Sequence, residues 1–486
     1  MKKATMIEKK KPTLYQSLMP IIFMVVIIAV GYGVFKLAVE PLIVVTAFFS
    51  AFCVKRLGYT WEEMEECIFE KIHKSMRPIL ILWSIGFVIG SWMFSGTVPM
   101  IIYYGLQIIN PKFLLLTGFL LCALLSTATG TSWGSASTMG VAIMGIALGL
   151  GVPLSLTAGA VVSGSYFGDK LSPLSDSTNI APLAAGSELY EHIKHMLYTT
   201  LPTALVCIIV YAILGFTLPT SAETASTSSD ILVQLNEMFK WNPILLLPPI
   251  LMVYGSLKKW PAIPTMLGTS IIAALLGVII QGFTMKSAAA SLVSGFNVSM
   301  TGYAGEILKD ITTLLNRGGA LDAAGTTVLI IAAMGFAGII SVAGMLDVIM
   351  ETLAKKIKSV FGLISATVVS CITMAIVTGS SYLTILIPGE LFQKEYKRRN
   401  LHPKNLSRTL EDSGTVVVGI IPWSAAGVFM TNALGVSTIE YLPYAIFCYG
   451  GMIMALICAA TGFGMAPLDP KKKIIKGAII EEETNN

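Results

Sequence analysis

The sequence predicts an all-α polytopic membrane protein of about ten transmembrane helices, arranged as two inverted repeats. Three observations lead there. Of the 486 residues, 54% are hydrophobic and only 13% are charged, where a soluble domain carries roughly 25% charged residues. Apolar runs such as 20–35, 78–94 and 444–460 recur along the whole chain, and each approaches the roughly 20 helical residues that cross ~30 Å of hydrocarbon. Finally, polar stretches broken by glycine and proline interrupt the apolar pattern at corresponding places in the two halves.

Taken in order, lysines at 2, 3, 9, 10 and 11 precede the first apolar run. No small-x-small cleavage site follows, so this run reads as a retained helix rather than a signal peptide. Spans are expected at 18–38, 40–54, 78–96, 154–186 and 198–218, then at 242–257, 262–282, 325–346, 409–436 and 441–463. Gly/Ser/Thr clusters interrupt 112–151 and 361–392 midway, which predicts re-entrant hairpins, because irregular backbone at membrane depth is tolerated only inside protein or along a cavity. Counting 97–111 as a crossing would raise the total to eleven or twelve. The chain then divides into a cytoplasmic N-terminal tail (1–17), a first repeat (18–219), an extracytoplasmic linker (220–241), a second repeat (242–464) and a cytoplasmic tail (465–486).

Charge sets the orientation. With the N-terminus inside, 26 of the 33 Lys and Arg residues fall on the inner side and six on the outer side, with Lys170 left at membrane depth. That bias follows the positive-inside rule and places both termini in the cytoplasm. The net charge of +5 is therefore a topology signal and does not point to nucleic acid. The seven cysteines form no CxxC pair and, Cys67 aside, sit in apolar segments as structural thiols. His73, His192, His195 and His402 fall in expected cytoplasmic loops as solvated groups, a pH sensor being the sharper reading.

A shift of 249 residues superposes Thr129 on Thr378, Gly130 on Gly379 and Ser132 on Ser381. The same shift takes Pro173 to Pro422, Ser175 to Ser424, and the pair Gly86 and Phe87 to Gly335 and Phe336. Three elements in one register, with an odd number of crossings per half, imply inverted repeats, whose interface is where such proteins place midplane binding sites.

The residues with chemistry cluster at these interruptions. The first hairpin tip offers Thr129, Thr131, Ser132 and Ser135 as neutral oxygen ligands, although Gly130-xxx-Gly134 also reads as a helix-packing motif. Thr378, Ser380 and Ser381 repeat the pattern. The most informative stretch is 164–179. Pro173 lacks an amide donor and disfavours helix at Ser172, so the span breaks there, exposing carbonyls and amides as ligands. An unbroken helix would put Asp169 and Asp176 on one face, two turns apart, and ionisable groups at this depth mark function unless they form a structural Asp169–Lys170 or interhelical ion pair. Desolvation raises a carboxylate's pKa and a bound cation lowers it, so one carboxylate can hold either a proton or a hard cation. Asp176, ringed by Ser172, Ser175 and Thr178, is the expected exchanging group and Na+ ligand. Asp169 is its accessory and Lys170 the compensating charge. In the second half, Glu411 and Asp412 precede the matching break at Pro422 and Ser424; they form a cytoplasmic funnel, pair with Arg408, or contact the cargo directly. Glu390 reads as solvated.

Two other function classes fit the sequence less well. Gly130 to Gly134 matches G-x-S-x-G, but a nucleophilic Ser132 needs a base in reach, and no histidine lies in an expected span; no enzyme is expected. A channel would need serial weak sites along a continuous pore, which broken helices in inverted repeats do not suggest.

Phe167-Gly-Asp-Lys-Leu-Ser-Pro-Leu-Ser-Asp176 with the following Ser-Thr-Asn resembles the first signature of the NhaC family of Na+/H+ antiporters. Leu406-Ser-Arg-Thr-Leu-Glu-Asp-Ser-Gly-Thr415 with Ile421-Pro-Trp423 resembles its second. The resemblance implies a secondary antiporter exchanging Na+ for H+ across the cytoplasmic membrane by alternating access, with two inverted halves and a homodimeric assembly. It implies no cofactor beyond the transported ions. The pattern departs at Ser380-Ser381, where relatives carry an acid and Gln, at Glu390 and at Ser424. Since family members also exchange malate for lactate, or amino acids, a Na+- or H+-coupled antiporter of a small organic acid or amino acid is the alternative.

Overall fold

The computed structural model describes residues 9–218, 222–355, 357–469, 472–475 and 478–481. Lysines 2 and 3 of the expected N-terminal tail lie outside them. The body is helical throughout, as expected. Among the described residues, seven helices are long and apolar enough to cross a membrane, or nine if each of two bent pairs counts as one span. The inventory differs from the expected one for local reasons. Val39–Lys55 has 17 residues and 247–257 only 11, while the 154–186 span is split and carries Asp169 and Lys170. Conversely, Pro111–Thr129 and Val360–Thr378, read as hairpin arms, are apolar enough to qualify as spans.

Thr97–Ile108 is a 12-residue helix, about 18 Å long, too short to cross alone. The expected linker is itself helical over Ala222–Met238, with Ile231 and Leu235 buried. In the C-terminal tail, Lys472–Ile475 and Ala478–Glu481 pair antiparallel, a short departure from the all-helical plan.

The 249-residue register governs element boundaries. Pro111–Thr129 maps onto Val360–Thr378 end to end. Each starts from a side-chain cap, Asn110 accepting from the Lys112 amide and Ser359 from the Gly362 amide. Each ends on a left-handed glycine, Gly130 at φ 70° and Gly379 at φ 58°, a conformation in which only Gly avoids a Cβ penalty. The return arms restart at Ser132 and Ser381. Leu154–Leu171 then maps onto 403–420, and Asp176–Ala185 onto Ala425–Leu434, with Gly186 and Gly435 both left-handed at the end. Both breaks adopt the same backbone: Ser172 and Ile421 are extended before the gap, Ser175 and Ser424 extended after it. The second break bends its helix by 50°.

Packing across the repeats is reciprocal. Asp176–Ala185 lies on Ser381–Arg398, the return arm of the other half, and Ala425–Leu434 lies on 132–149. Trp133 stacks on Phe429 there with ring centroids 4.3 Å apart. Within the first half, Gly164 and Gly168 let the 154–171 helix rest directly on the hairpin arm: a Cβ on either would come within 2.2 Å of the Phe119 or Ala123 carbonyl oxygen. The tips then meet the breaks. A Cβ at Gly130 would strike the backbone of Leu174 and Ser175, and one at Gly379 would crowd that of Trp423 and Ser424, the same pair 249 residues on.

Register does not guarantee equivalence. Gly86 accepts a hydrogen bond on its carbonyl from the Gly319 amide at 2.7 Å, and a Cβ on it would lie 2.4 Å from the Gly319 carbonyl oxygen. Its counterpart Gly335 has nothing within 4 Å of that position. Gly86→Ala is therefore expected to destabilise the protein by about 1–3 kcal/mol through overpacking, whereas Gly335→Ala should leave the thermal midpoint in detergent unchanged or slightly raised. Equal effects at the two positions would contradict this account.

Candidate functional site

The first break consumes most of the backbone groups it frees. The Ser172 amide donates to the Asp169 carbonyl at 3.1 Å, and the Ser175 amide to the Ser172 carbonyl at 3.2 Å. Thr178 Oγ1 reaches the Asp169 and Lys170 carbonyls at 3.2 and 3.3 Å. Asn179 Nδ2 donates to the carbonyls of Pro173 and Ser175 at 3.0 and 2.6 Å. The expectation of free carbonyl ligands gives way here, because a buried carbonyl left unpaired is costly and neighbouring side chains satisfy it. What the break leaves open is side-chain chemistry.

The two breaks use their matching serines differently. Ser424 caps its helix, accepting from the Gly427 amide at 2.8 Å while donating to the Val418 carbonyl. Ser175 makes no cap bond. Its hydroxyl instead pairs with that of Ser177 at 3.1 Å. Ser177 in turn donates to Glu411 Oε1 at 3.2 Å, across to the other half.

Four ionisable groups meet between the broken helices. Asp169, half-buried, accepts from Ser132 Oγ at 3.0 Å, so the first hairpin tip touches the break. Lys170 Nζ is ion-paired with Asp412 Oδ1, the side chains being 1% and 0% exposed. Thr199 Oγ1 supports the same oxygen at 3.0 Å. Glu411, also buried, receives Ser177 and Thr415 Oγ1, the latter at 3.0 Å. Glu411 Oε2 and Asp412 Oδ2 are buried with no hydrogen-bond partner among the described residues. Three carboxylates thus face one ammonium. An unpartnered buried carboxylate oxygen is strongly unfavourable unless a proton or a cation meets it. No cluster of three or more His, Cys, Asp or Glu side chains suited to a tightly held metal occurs among the described residues, so the oxygens available are two lightly partnered carboxylates with serine and threonine hydroxyls.

Several expected site residues sit elsewhere. Asp176, the expected exchanging carboxylate, is exposed at the start of its helix, with Tyr382 Oη donating to it at 3.5 Å. The buried carboxylate oxygens without a partner belong instead to Glu411 and Asp412. Ser172 accepts from the Leu174 amide within the break. Thr129 and Thr378 donate back to the carbonyls of Leu125 and Met374 in their own helices. Thr131 caps the return arm, and Ser380 and Ser381 open the second one, half-buried. Lys170 pairs with Asp412 and not with Asp169. Arg408 is buried and bound to the Gly464 carbonyl at 2.6 Å, not to Glu411 or Asp412, which overturns the funnel ion pair. Glu390 is exposed, as expected.

The histidine expectation fails for two of four. His192 and His195 are buried; His192 Nδ1 lies 2.8 Å from Ser407 Oγ, and His195 Nε2 lies 3.1 Å from Asn405 Oδ1. Their helix begins at Leu189, not 198, and packs its first turns on 403–410. Positions 192, 195, 196, 199 and 203 form one buried face, a helical spacing visible in the sequence. Thr199, Ser177 and Thr415 were missed as site residues; the first has no motif around it, and the other two lie inside motifs already singled out.

Comparison with known proteins agrees with the geometry. A family model described as the Na+/H+ antiporter family matches residues 164–463. An uncharacterized Na+/H+ antiporter of Haemophilus influenzae is 44% identical over 460 residues, covering 94% of this chain and 98% of that one. The Na+/H+ antiporter NhaC of Alkalihalophilus pseudofirmus is 36% identical over 94% of this chain and 97% of its own. A malate-2H+/Na+-lactate antiporter of Bacillus subtilis is 32% identical over 93% and 95%.

The buried pair makes a stability prediction. Lys170→Met strands Asp412 without a counter-charge and is expected to cost about 3–5 kcal/mol. Lys170→Met combined with Asp412→Asn should recover most of that in thermal unfolding. A double variant no more stable than the single one would count against the pair.

Proposed function

The chain belongs to the Na+/H+ antiporter family, and we propose that it exchanges Na+ for H+ across the cytoplasmic membrane by alternating access. The observation that carries this reading is the carboxylate surplus between the broken helices. Lys170 and Asp412 neutralise each other. Glu411 and Asp169 remain, held by hydroxyls of Ser132, Ser177 and Thr415. At membrane depth each must hold either a proton or a cation, and mutual exclusion of the two is the exchange. Asp169 comes from the first half and Glu411 from the second, so relative motion of the halves would carry the site from one side to the other. Asp176, exposed beside Tyr382, is assigned the approach to the site. Ser132 donates to a carboxylate, and the proposal gives it a binding role. Na+ and H+ are cargo, and no resident cofactor is invoked. The Lys and Arg distribution supports cytoplasmic termini, and a homodimer remains part of the proposal.

A second reading is Na+- or H+-coupled exchange of a small organic acid or amino acid. It is favoured by the malate-2H+/Na+-lactate relative and by neutral Ser380 and Ser381 at the second tip. Counterflow of labelled lactate, malate or amino acids in proteoliposomes separates the two.

In inverted vesicles, Na+ added after respiration-driven acidification should collapse the pH gradient. Asp169→Asn and Glu411→Gln are expected to reduce this exchange by about 100-fold, equivalent to roughly 3 kcal/mol of cation binding. Asp176→Asn should mainly raise the half-saturating Na+ concentration. Wild-type rates in both Asp169→Asn and Glu411→Gln would sink the assignment.

A further inference from the structure

Between the first hairpin tip and the 247–257 and 262–276 helices of the second half lies a cavity of about 80 Å3. Its lining includes Thr129, Thr131, Thr138, Ser256, Thr265 and Trp260. The hydrogen bonds give this space a chemical sign. Thr129 Oγ1 donates to the Leu125 carbonyl at 2.8 Å and Thr138 Oγ1 to that of Gly134 at 2.7 Å. Ser256 Oγ donates to the Thr129 carbonyl at 3.1 Å, and Thr265 Oγ1 to the Pro261 carbonyl at 2.8 Å. A hydroxyl has one proton and two lone pairs. All four protons are committed to backbone, so these four groups offer the cavity acceptor oxygen, while Thr131 Oγ1 accepts from the Gly134 amide and keeps its own proton. Lys258 and Lys259 stand at the adjoining turn, where Lys258 Nζ is turned over the Tyr254 ring at 5.9 Å.

The cavity adjoins the carboxylate site through the chain itself. Thr131 lines the cavity, and the next residue, Ser132, donates to Asp169 at 3.0 Å. The volume is that of a few waters, at about 30 Å3 each, enough for a partly hydrated alkali ion.

We propose that this cavity is an uncharged waiting station for a monovalent cation, one step from Asp169 and shared by the two halves. The identity of the cargo as Na+ rests on the antiport reading above. Neutral hydroxyl oxygens suit an alkali ion, whereas a divalent ion requires carboxylate charge to offset its dehydration. Ser256 has a second consequence: its bond to the Thr129 carbonyl ties the first tip to the second half, so occupancy of the station and the position of the tip are linked.

The test uses the full chain in membranes, with the unmodified protein and its seven cysteines as background. In Thr265→Cys, a trimethylammonium methanethiosulfonate is expected to react about tenfold faster than the sulfonate reagent of similar size. Na+ should slow that reaction while choline does not. Equal rates for the two reagents, or no protection by Na+, would overturn the station, and neither readout depends on exchange activity. Independently, Ser256→Ala with Thr265→Val should raise half-saturating Na+ by several-fold at an unchanged maximal rate. Unchanged half-saturation removes the station but leaves the Asp169 and Glu411 reading standing. Absence of Na+-driven exchange in the unmodified protein removes the antiport reading, and the labelling result still decides the station.

Discussion

The buried ion pair between Lys170 and Asp412 is the constraint on which the rest of the arrangement depends. It joins two broken helices from opposite halves of the chain, at a depth where either charge alone would be prohibitive. Because the pair is internally neutral, it removes one of three carboxylates from the count and leaves Asp169 and Glu411 as the two to which the proposed exchange assigns mobile cations. Thr199 from a third helix fixes the Asp412 carboxylate, so the pair also sets how the 189–217 helix sits against the second break. Its geometry positions the site and its charge defines what the site lacks.

Pseudo-symmetry builds the frame, and asymmetry within it makes a site. Hairpins, breaks and capping glycines repeat at one offset through both halves. Yet the matching serines diverge, Ser424 capping its own helix while Ser175 turns to Ser177 and onward to Glu411. Asp169 maps onto Val418, Lys170 onto Gly419, and Asp412 onto Ser163. Two halves with identical charges would place like charges near the pseudo-axis. Offsetting the acids by a turn and a half lets the lysine of one half meet the aspartate of the other.

How much of this was legible can be argued residue by residue. The break at Ser172 and Pro173 could be read because proline's missing amide is a local property. The hairpin tips could be read because glycine clusters in an apolar run have few other uses. The exposure of Asp176 has a physical cause. Sequence spacing placed it in a polar cluster, but exposure depends on which helix lies opposite, and Asp176–Ala185 packs on the far half's return arm. The histidines failed for the same reason: a polar-looking loop became two buried helical turns once 403–410 covered it.

The sequence by itself determined the class of the molecule, its two-fold register and the positions of both breaks. These follow from hydropathy, backbone chemistry and internal repetition, all of which act over short distances along the chain. Only the tertiary structure decided which carboxylate pairs with Lys170, which oxygens remain unpartnered, and that residues of both halves line one cavity beside the first tip. Those outcomes depend on contacts between residues more than 100 positions apart, such as Lys170 with Asp412, Ser177 with Glu411 and Ser256 with Thr129. Pairing energies at that separation are set by packing, and packing is not written in any local stretch of sequence.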